Sequence, residues 1–156
     1  MSDEYMRNNL YNQQSIINKV KCTVRIIVAF SFVLLGGIIY LTYRSRNLLM
    51  FQWIEVIGIT DIIEPIRLYG QTISIPQWIK YSLPDGLWLL SYLMIIDIIW
   101  YNTPANTSKN YWISILPLTA IGSEIIQLLI PYIGTFDIID LLCYINAIIL
   151  YYFLKT

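Results

Sequence analysis

The alternation of apolar and polar stretches predicts a chain that crosses a membrane several times. The stretch from Ile26 to Tyr43 contains no charged residue, and Arg25 and Arg44 bracket it. Because about 20 apolar residues span a bilayer core as a helix, this stretch is the clearest predicted span. Its Gly36-Gly37 pair is expected to permit close packing against another helix. Three more apolar stretches follow, so we expect an all-α membrane protein, a small bundle of about four transmembrane helices. The predicted spans are about residues 26–43, 84–101, 111–131 and 136–154.

Two segments lie outside these spans. Residues 1–22 are polar and are predicted to form a cytoplasmic tail, ahead of a single transmembrane domain over residues 23–156. Between the first and second spans, residues 47–81 carry polar side chains at near-helical spacing among apolar ones. That pattern predicts an amphipathic segment that is interfacial or extracytoplasmic. Pro65 is expected to end or kink it, and the pattern leaves open whether residues 47–63 enter the membrane.

The composition favours a membrane protein and excludes several functions. Hydrophobic residues make up 57% of the chain and charged residues 13%, whereas soluble domains carry about 25% charged residues. The net charge of zero gives no basic footprint for nucleic acid. The chain has no histidine, so it lacks the commonest metal ligand and general base; we expect neither a metal nor a cofactor. Ser91 and Ser123 are isolated, so the sequence leans against an enzyme without deciding the question.

The lysine and arginine residues set the expected orientation, because such residues concentrate on the cytoplasmic side of a membrane. With both termini in the cytoplasm, six of these residues lie inside and four lie outside. The inside group is Arg7, Lys19, Lys21, Arg25, Lys109 and Lys155, and the outside group is Arg44, Arg46, Arg67 and Lys80. We therefore expect a multi-pass protein of a bacterial cytoplasmic (inner) membrane with a cytoplasmic N-terminus and C-terminus.

Carboxylates inside the predicted spans are the candidate functional groups. In this orientation Glu124 lies about 10 Å inward from the outer end of the third span, and Asp140 about 6 Å inward on the fourth. A short turn joins the two spans, so they should be antiparallel neighbours. Two acids at similar depth should then lie close to each other. Because a charged side chain in a membrane segment costs about 2.5–3.5 kcal/mol, such residues usually face protein or water.

Three neighbouring polar residues extend the predicted site. Gln127 lies three residues after Glu124 on nearly the same helical face, from which it can donate to either acid. Asp137 shares a face with Asp140 for the same reason, and Asp85 lies at the outer mouth of the second span. The sequence thus predicts an acidic ligand-binding pocket between the third and fourth spans that opens toward the outside.

Structural roles compete with this interpretation. Ser82 and Asp85 resemble a capping box at the start of the second span. Asp137 sits where a helix N-terminus favours a negative charge. Asp97 falls near the cytoplasmic end of the second span, where it is expected to reach water. A lone buried acid can also be protonated and serve only helix packing.

The stretch SEIIQLLIPYIGTFDIIDLLCYINA, residues 123–147, resembles the C-terminal core of VanZ-like membrane proteins. The matching residues are Glu124, Gln127, Phe136, Asp137 and Asp140. The arginine and asparagine of the family pattern are not matched, since their positions fall on Gly134 and Tyr144. The resemblance covers roughly residues 80–150. It implies a small multi-span envelope protein, linked in some members to glycopeptide-antibiotic tolerance.

Three functional hypotheses follow. The first is a VanZ-like membrane protein that acts in the cell envelope, with an acidic pocket for a cation, an amine-bearing group or a lipid-linked ligand. The second is a non-catalytic membrane subunit whose spans and intramembrane acids pack against a partner protein. The third is a small oligomeric transporter or channel, although four spans without an internal repeat are few for a secondary transporter.

Overall fold

The computed structural model describes residues 2–101, 103 and 106–155, with the side chains of 2–5, 8 and 10 left aside. Residues 1 and 156, the ends of the predicted tail and of the predicted domain, lie outside the described residues. Within the described part the chain forms seven helices and no strand, so the expectation of an all-α protein is confirmed. The helices are α1 (Ser2–Tyr43), α2 (Leu49–Ile57), α3 (Thr60–Gln71), α4 (Gln77–Tyr81), α5 (Leu83–Ile99), α6 (Thr107–Leu129) and α7 (Ile138–Leu154).

Two helices are long and apolar enough to cross a membrane. They are the part of α1 from Tyr11 to Tyr43 and the whole of α6. Helices α5 and α7 have 17 residues each and are shorter than a usual span. The residues predicted as a polar tail are the first half of α1, because the helix continues without a break from Ser2 through the predicted first span.

Helix α5 forms the centre of the molecule. It packs against α1 on one side and against α6 and α7 on another. The fully buried side chains of this core are Ala29, Leu89, Leu90, Leu93, Met94, Ala147 and Tyr151.

A glycine and two hydrogen bonds bring α1 against α5. A Cβ atom at Gly36 would lie 2.7 Å from the indole nitrogen of Trp88, so only glycine fits there, whereas Gly37 has nothing within 4 Å. The Trp88 indole N–H donates to the Val33 carbonyl at 3.3 Å. The Ser91 hydroxyl donates to the Ala29 carbonyl at 2.8 Å. The predicted close packing at the glycine pair is therefore made by its first member alone.

The predicted amphipathic segment forms three short helices, and its first break is at Gly58 while its second ends at Pro76. Gly58 ends α2 in the left-handed conformation, with φ of 78°, which a residue without a Cβ adopts readily. Pro65 was expected to end or kink the segment, but it lies inside α3. It stands in the second turn, near enough to the helix start that few backbone hydrogen bonds are lost.

Side chains of α3 cap the C-terminal end of α1. The last carbonyl groups of a helix have no partner within the helix. The Arg67 guanidinium, buried in the fold, donates to the Leu41 carbonyl and, at 3.0 Å, to the Arg44 carbonyl. The Gln71 amide donates to the Thr42 carbonyl at 3.3 Å. A cation at this position is also favoured by the helix dipole, so α3 fixes the end of α1.

Candidate functional site

The carboxylates of α6 and α7 meet at the turn that joins these helices. Glu124 of α6 is buried, and its Oε2 atom accepts the backbone N–H of Asp137 at 3.2 Å. Asp137 is the N-cap of α7, and its Oδ1 atom accepts the N–H of Ile139 at 2.8 Å. Glu124 therefore binds, from the neighbouring helix, a backbone amide at the start of α7. The expected helix N-terminal role of Asp137 is confirmed.

Asp140 lies in the first turn of α7, half-buried beside these groups. Its Oδ1 atom is buried and has no hydrogen-bond partner among the described residues. Both Asp137 and Asp140 lie within electrostatic range of Glu124. Carboxylates this close repel one another when ionised, so a shared proton or a bound positive charge would stabilise the group.

Asp85 joins the cluster from the first turn of α5. It lies within electrostatic range of Asp140 and Glu124, and the Arg44 Nη2 atom lies 3.6 Å from its Oδ2 atom. The expected capping box does not form, because the Ser82 side chain makes no cap hydrogen bond and its hydroxyl is buried without a partner among the described residues. We refer to Asp85, Glu124, Asp137 and Asp140 as the acidic cluster.

Among the described residues, one arginine forms an ion pair with the acidic cluster. Arg44 follows the last residue of α1, and its Nη2 atom donates to the Tyr81 carbonyl at 2.7 Å. Its guanidinium lies over the rings of Tyr40 and Tyr81, 5.4 and 5.1 Å from their centroids. Such stacking holds a cation in place. Arg44 therefore pairs with Asp85 alone among the four carboxyl groups, and the cluster carries an excess of negative charge when these groups are ionised.

Gln127 takes a packing position at the edge of the cluster. Its side chain lies against Gly134 in the turn between α6 and α7, where an added Cβ atom would be 3.0 Å from the Gln127 Cδ atom. Among the described residues, no group of three or more cysteine, aspartate or glutamate side chains is arranged to hold a metal ion.

A second charged cluster lies at the opposite end of α5. The Asp97 Oδ2 atom accepts from Arg25 Nη2 at 2.5 Å, and its Oδ1 atom lies 2.8 Å from Lys109 Nζ. The carboxylate side chain is only 5% exposed. The expectation that Asp97 reaches water is therefore wrong, because cations from α1 and α6 replace the solvent. We call Arg25, Asp97 and Lys109 the basic–acid triad.

The pairing of Asp97 with Arg25 and Lys109 was predictable from the sequence. In the expected orientation all three of its residues fall at the cytoplasmic ends of three different spans. The same depth argument that related Glu124 to Asp140 therefore relates Asp97 to Arg25 and Lys109. A carboxylate at the edge of an apolar stretch is more stable beside cations at its own depth than when it is partly desolvated alone.

A polar cleft lies between α2 and α3, and three of its four charged side chains, those of Arg46, Glu64 and Arg67, have partners. Arg46 forms an ion pair with Glu64. Arg67 is engaged with the end of α1 and lies over the Phe51 ring, 4.7 Å from its centroid. These contacts therefore stabilise the packing of the segment that follows α1.

No protein-family model matches the chain, and comparisons with curated proteins and with solved structures found no match.

Proposed function

We propose that the chain is a VanZ-like integral membrane protein in which α1, α5, α6 and α7 cross the bilayer. The acidic cluster would then lie near the outer face and bind a positively charged ligand. The observation that carries this proposal is the separation of the charged residues into two layers, one at each end of the helix bundle.

The spacing of these layers suits a membrane. At 1.5 Å per residue, Arg25 and Arg44 lie about 28 Å apart along α1, and Lys109 and Glu124 about 22 Å apart along α6. Asp97 and Asp85 lie about 18 Å apart along α5 by the same rise. The hydrocarbon core is about 30 Å thick, and long arginine side chains reach along a helix toward a shorter neighbour. Helices α5 and α7 can therefore cross the bilayer with only 17 residues each, because charged side chains of the longer helices α1 and α6 reach the ends of α5 and α7.

The location of α2 to α4 agrees with this arrangement. They follow α1 directly and cover its end at the level of the acidic cluster. Their exposed apolar side chains include Leu49, Trp53, Val56, Ile62 and Ile66, and an amphipathic helix with such a face lies in the membrane interface. The segment would therefore rest on the outer leaflet beside the cluster.

The proposed ligand carries an amine or another positive charge. The acidic cluster holds more carboxyl groups than its one arginine neutralises, and the buried Oδ1 atom of Asp140 has no partner among the described residues. An ammonium group offers three donors to such a cluster. A lipid headgroup or a lipid-linked wall precursor with an amine would present this group at the correct depth. The resemblance to VanZ-like proteins supports a role in the cell envelope.

The test uses phosphatidylethanolamine, whose headgroup ends in an amine, with phosphatidylcholine, which has no N–H donor, as the comparison lipid. We expect phosphatidylethanolamine to raise the melting temperature of the purified protein in detergent more than phosphatidylcholine does. Glu124→Gln and Asp140→Asn should reduce that difference. Asp61→Asn, at an exposed acid of α3 outside the cluster, should leave it unchanged. Equal stabilisation by both lipids in the unsubstituted protein would contradict an amine site.

A further inference from the structure

Helix α1 is too long for the membrane it is proposed to cross. Its 42 residues extend over about 63 Å at 1.5 Å per residue, about twice the thickness of a hydrocarbon core. The predicted span begins at Ile26, so the first half of the helix projects beyond the membrane. An isolated helix is only marginally stable in water, because most helical stability comes from packing an apolar face. We therefore expect the projecting half to pack against a partner.

The exposed side of α1 carries a heptad pattern. Eight positions follow one another at alternating intervals of four and three residues, and all eight side chains are exposed. They are Gln13, Ile17, Val20, Val24, Ile27, Ser31, Leu34 and Ile38. The sequence continues the same intervals back through Leu10 to Met6. We call the eight positions the α1 seam. It lies opposite the side of α1 that holds Ala29 and Gly36 against α5.

The residue types of the α1 seam fit a parallel coiled coil. The a positions are Ile17, Val24, Ser31 and Ile38, and the d positions are Gln13, Val20, Ile27 and Leu34. β-Branched residues at a suit a pair of strands where d is leucine, as at Leu34, and a larger assembly where d is also β-branched, as at Val20 and Ile27. The Ser31 hydroxyl is already satisfied, since it donates to the Ile27 carbonyl at 2.8 Å. Contact with lipid accounts for the apolar residues from Ile26 onward, where exposed neighbours such as Phe30 and Val33 are apolar too. It does not account for the repeat in the polar half of α1.

We propose that the α1 seam binds the same seam of a second copy of this chain, in a parallel and in-register homodimer. This inference rests on the proposed membrane insertion, because two copies in one membrane share one orientation. Their α1 helices are then parallel and at equal height, so each seam position meets its own counterpart. A two-fold axis of this kind makes the surface self-complementary. The seam ends at Ile38, one turn before Thr42, where α3 packs on α1.

The test is a cysteine scan along the projecting half of α1. Single cysteines replace each residue from 13 to 24 in full-length protein that carries Cys22→Ser and Cys143→Ser. Oxidative crosslinking is then measured in native membranes. We expect several-fold more disulfide dimer at Ile17, Val20 and Val24 than at the intervening positions. The matched control is protein that keeps the native Cys22 and carries only Cys143→Ser. Residue 22 lies on the side of the helix opposite Val20, so it should crosslink little.

The outcomes separate this inference from the proposed function. Carbonate extraction of the same samples reports whether the protein is membrane-inserted. An inserted protein whose crosslinking is absent, uniform or strongest at residues 15, 18 and 22 would overturn the dimer while leaving membrane insertion intact. A protein that is extracted by carbonate but crosslinks at the seam would support the dimer and contradict the membrane function.

Discussion

Replacing Asp97 by asparagine should strongly destabilise the fold. The substitution keeps the side-chain shape but removes the charge that holds Arg25 and Lys109 together. Two cations would then face each other at the end of α5, with side chains only 16% and 14% exposed. Repulsion between them, the loss of one charge-assisted hydrogen bond and the weakening of the other all act against the folded state.

The size of the effect follows from the burial of the triad. Removing one partner of a buried ion pair costs about 3–5 kcal/mol, because a charge is left uncompensated. Since Arg25 and Lys109 keep some exposure to solvent, we expect the lower end, about 3 kcal/mol, for Asp97→Asn. The free energy of unfolding can be measured by denaturant titration in mixed micelles, with the fluorescence of the five tryptophans as the signal.

Two controls define the interpretation. Asp61→Asn removes an exposed carboxylate from the first turn of α3, and it should cost no more than about 1 kcal/mol. In protein that already carries Asp97→Asn, the further change Arg25→Gln should recover part of the lost free energy of unfolding, because it removes one of the two uncompensated cations. If Asp97→Asn and Asp61→Asn lower the free energy of unfolding equally, the reasoning about the buried triad is refuted.

Three further predictions concern helix contacts. Gly36→Ala should lower the free energy of unfolding by about 1–3 kcal/mol, because the new methyl would stand 2.7 Å from the Trp88 indole nitrogen. Gly37→Ala places its methyl group in open space and should raise the free energy of unfolding by up to about 1 kcal/mol. Equal effects of the two substitutions in the same titration would disprove the contact between Gly36 and Trp88. Arg67→Gln should speed hydrogen exchange in the last turn of α1, and an unchanged rate would contradict the capping role. Glu124→Ala should cost about 1–3 kcal/mol by leaving a buried amide unpaired, whereas Glu124→Gln, which retains an acceptor, should cost less in that titration.

The helices themselves were largely predictable from the hydropathy pattern. The stretch that opens at Ile26 is helical, and α5, α6 and α7 begin and end within a few residues of the predicted spans. The continuation of α1 to Ser2 was not predicted, since a hydropathy window detects the membrane part of a helix and not its polar part. The break at Gly58 was missed because a proline is the stronger expected interruption, although Pro65 stands early enough in α3 to be tolerated.

The two charged clusters show which contacts can be predicted by counting residues to estimate depth in the membrane, and which cannot. Counting residues from the turn suggested that Glu124 and Asp140 lie near each other, and in the structure they lie within electrostatic range. Depth alone also allows a contact from Arg44 to Asp85, since both lie at the outer ends of their predicted spans, but it does not show that α1 packs against α5. The prediction that Asp97 reaches water was wrong because it considered only solvent as a partner and left out Arg25 and Lys109 on neighbouring helices.

The most direct test of the central claim is a topology measurement by labelling with a membrane-impermeant maleimide. Single cysteines replace the exposed residues Ser74, Ser108 and Tyr132 in protein that lacks Cys22 and Cys143. If α1, α5, α6 and α7 all cross, intact cells should label positions 74 and 132, and position 108 should react only after permeabilisation. If only α1 and α6 cross, position 108 would label in intact cells and position 132 would not, and that result would contradict the four-span account.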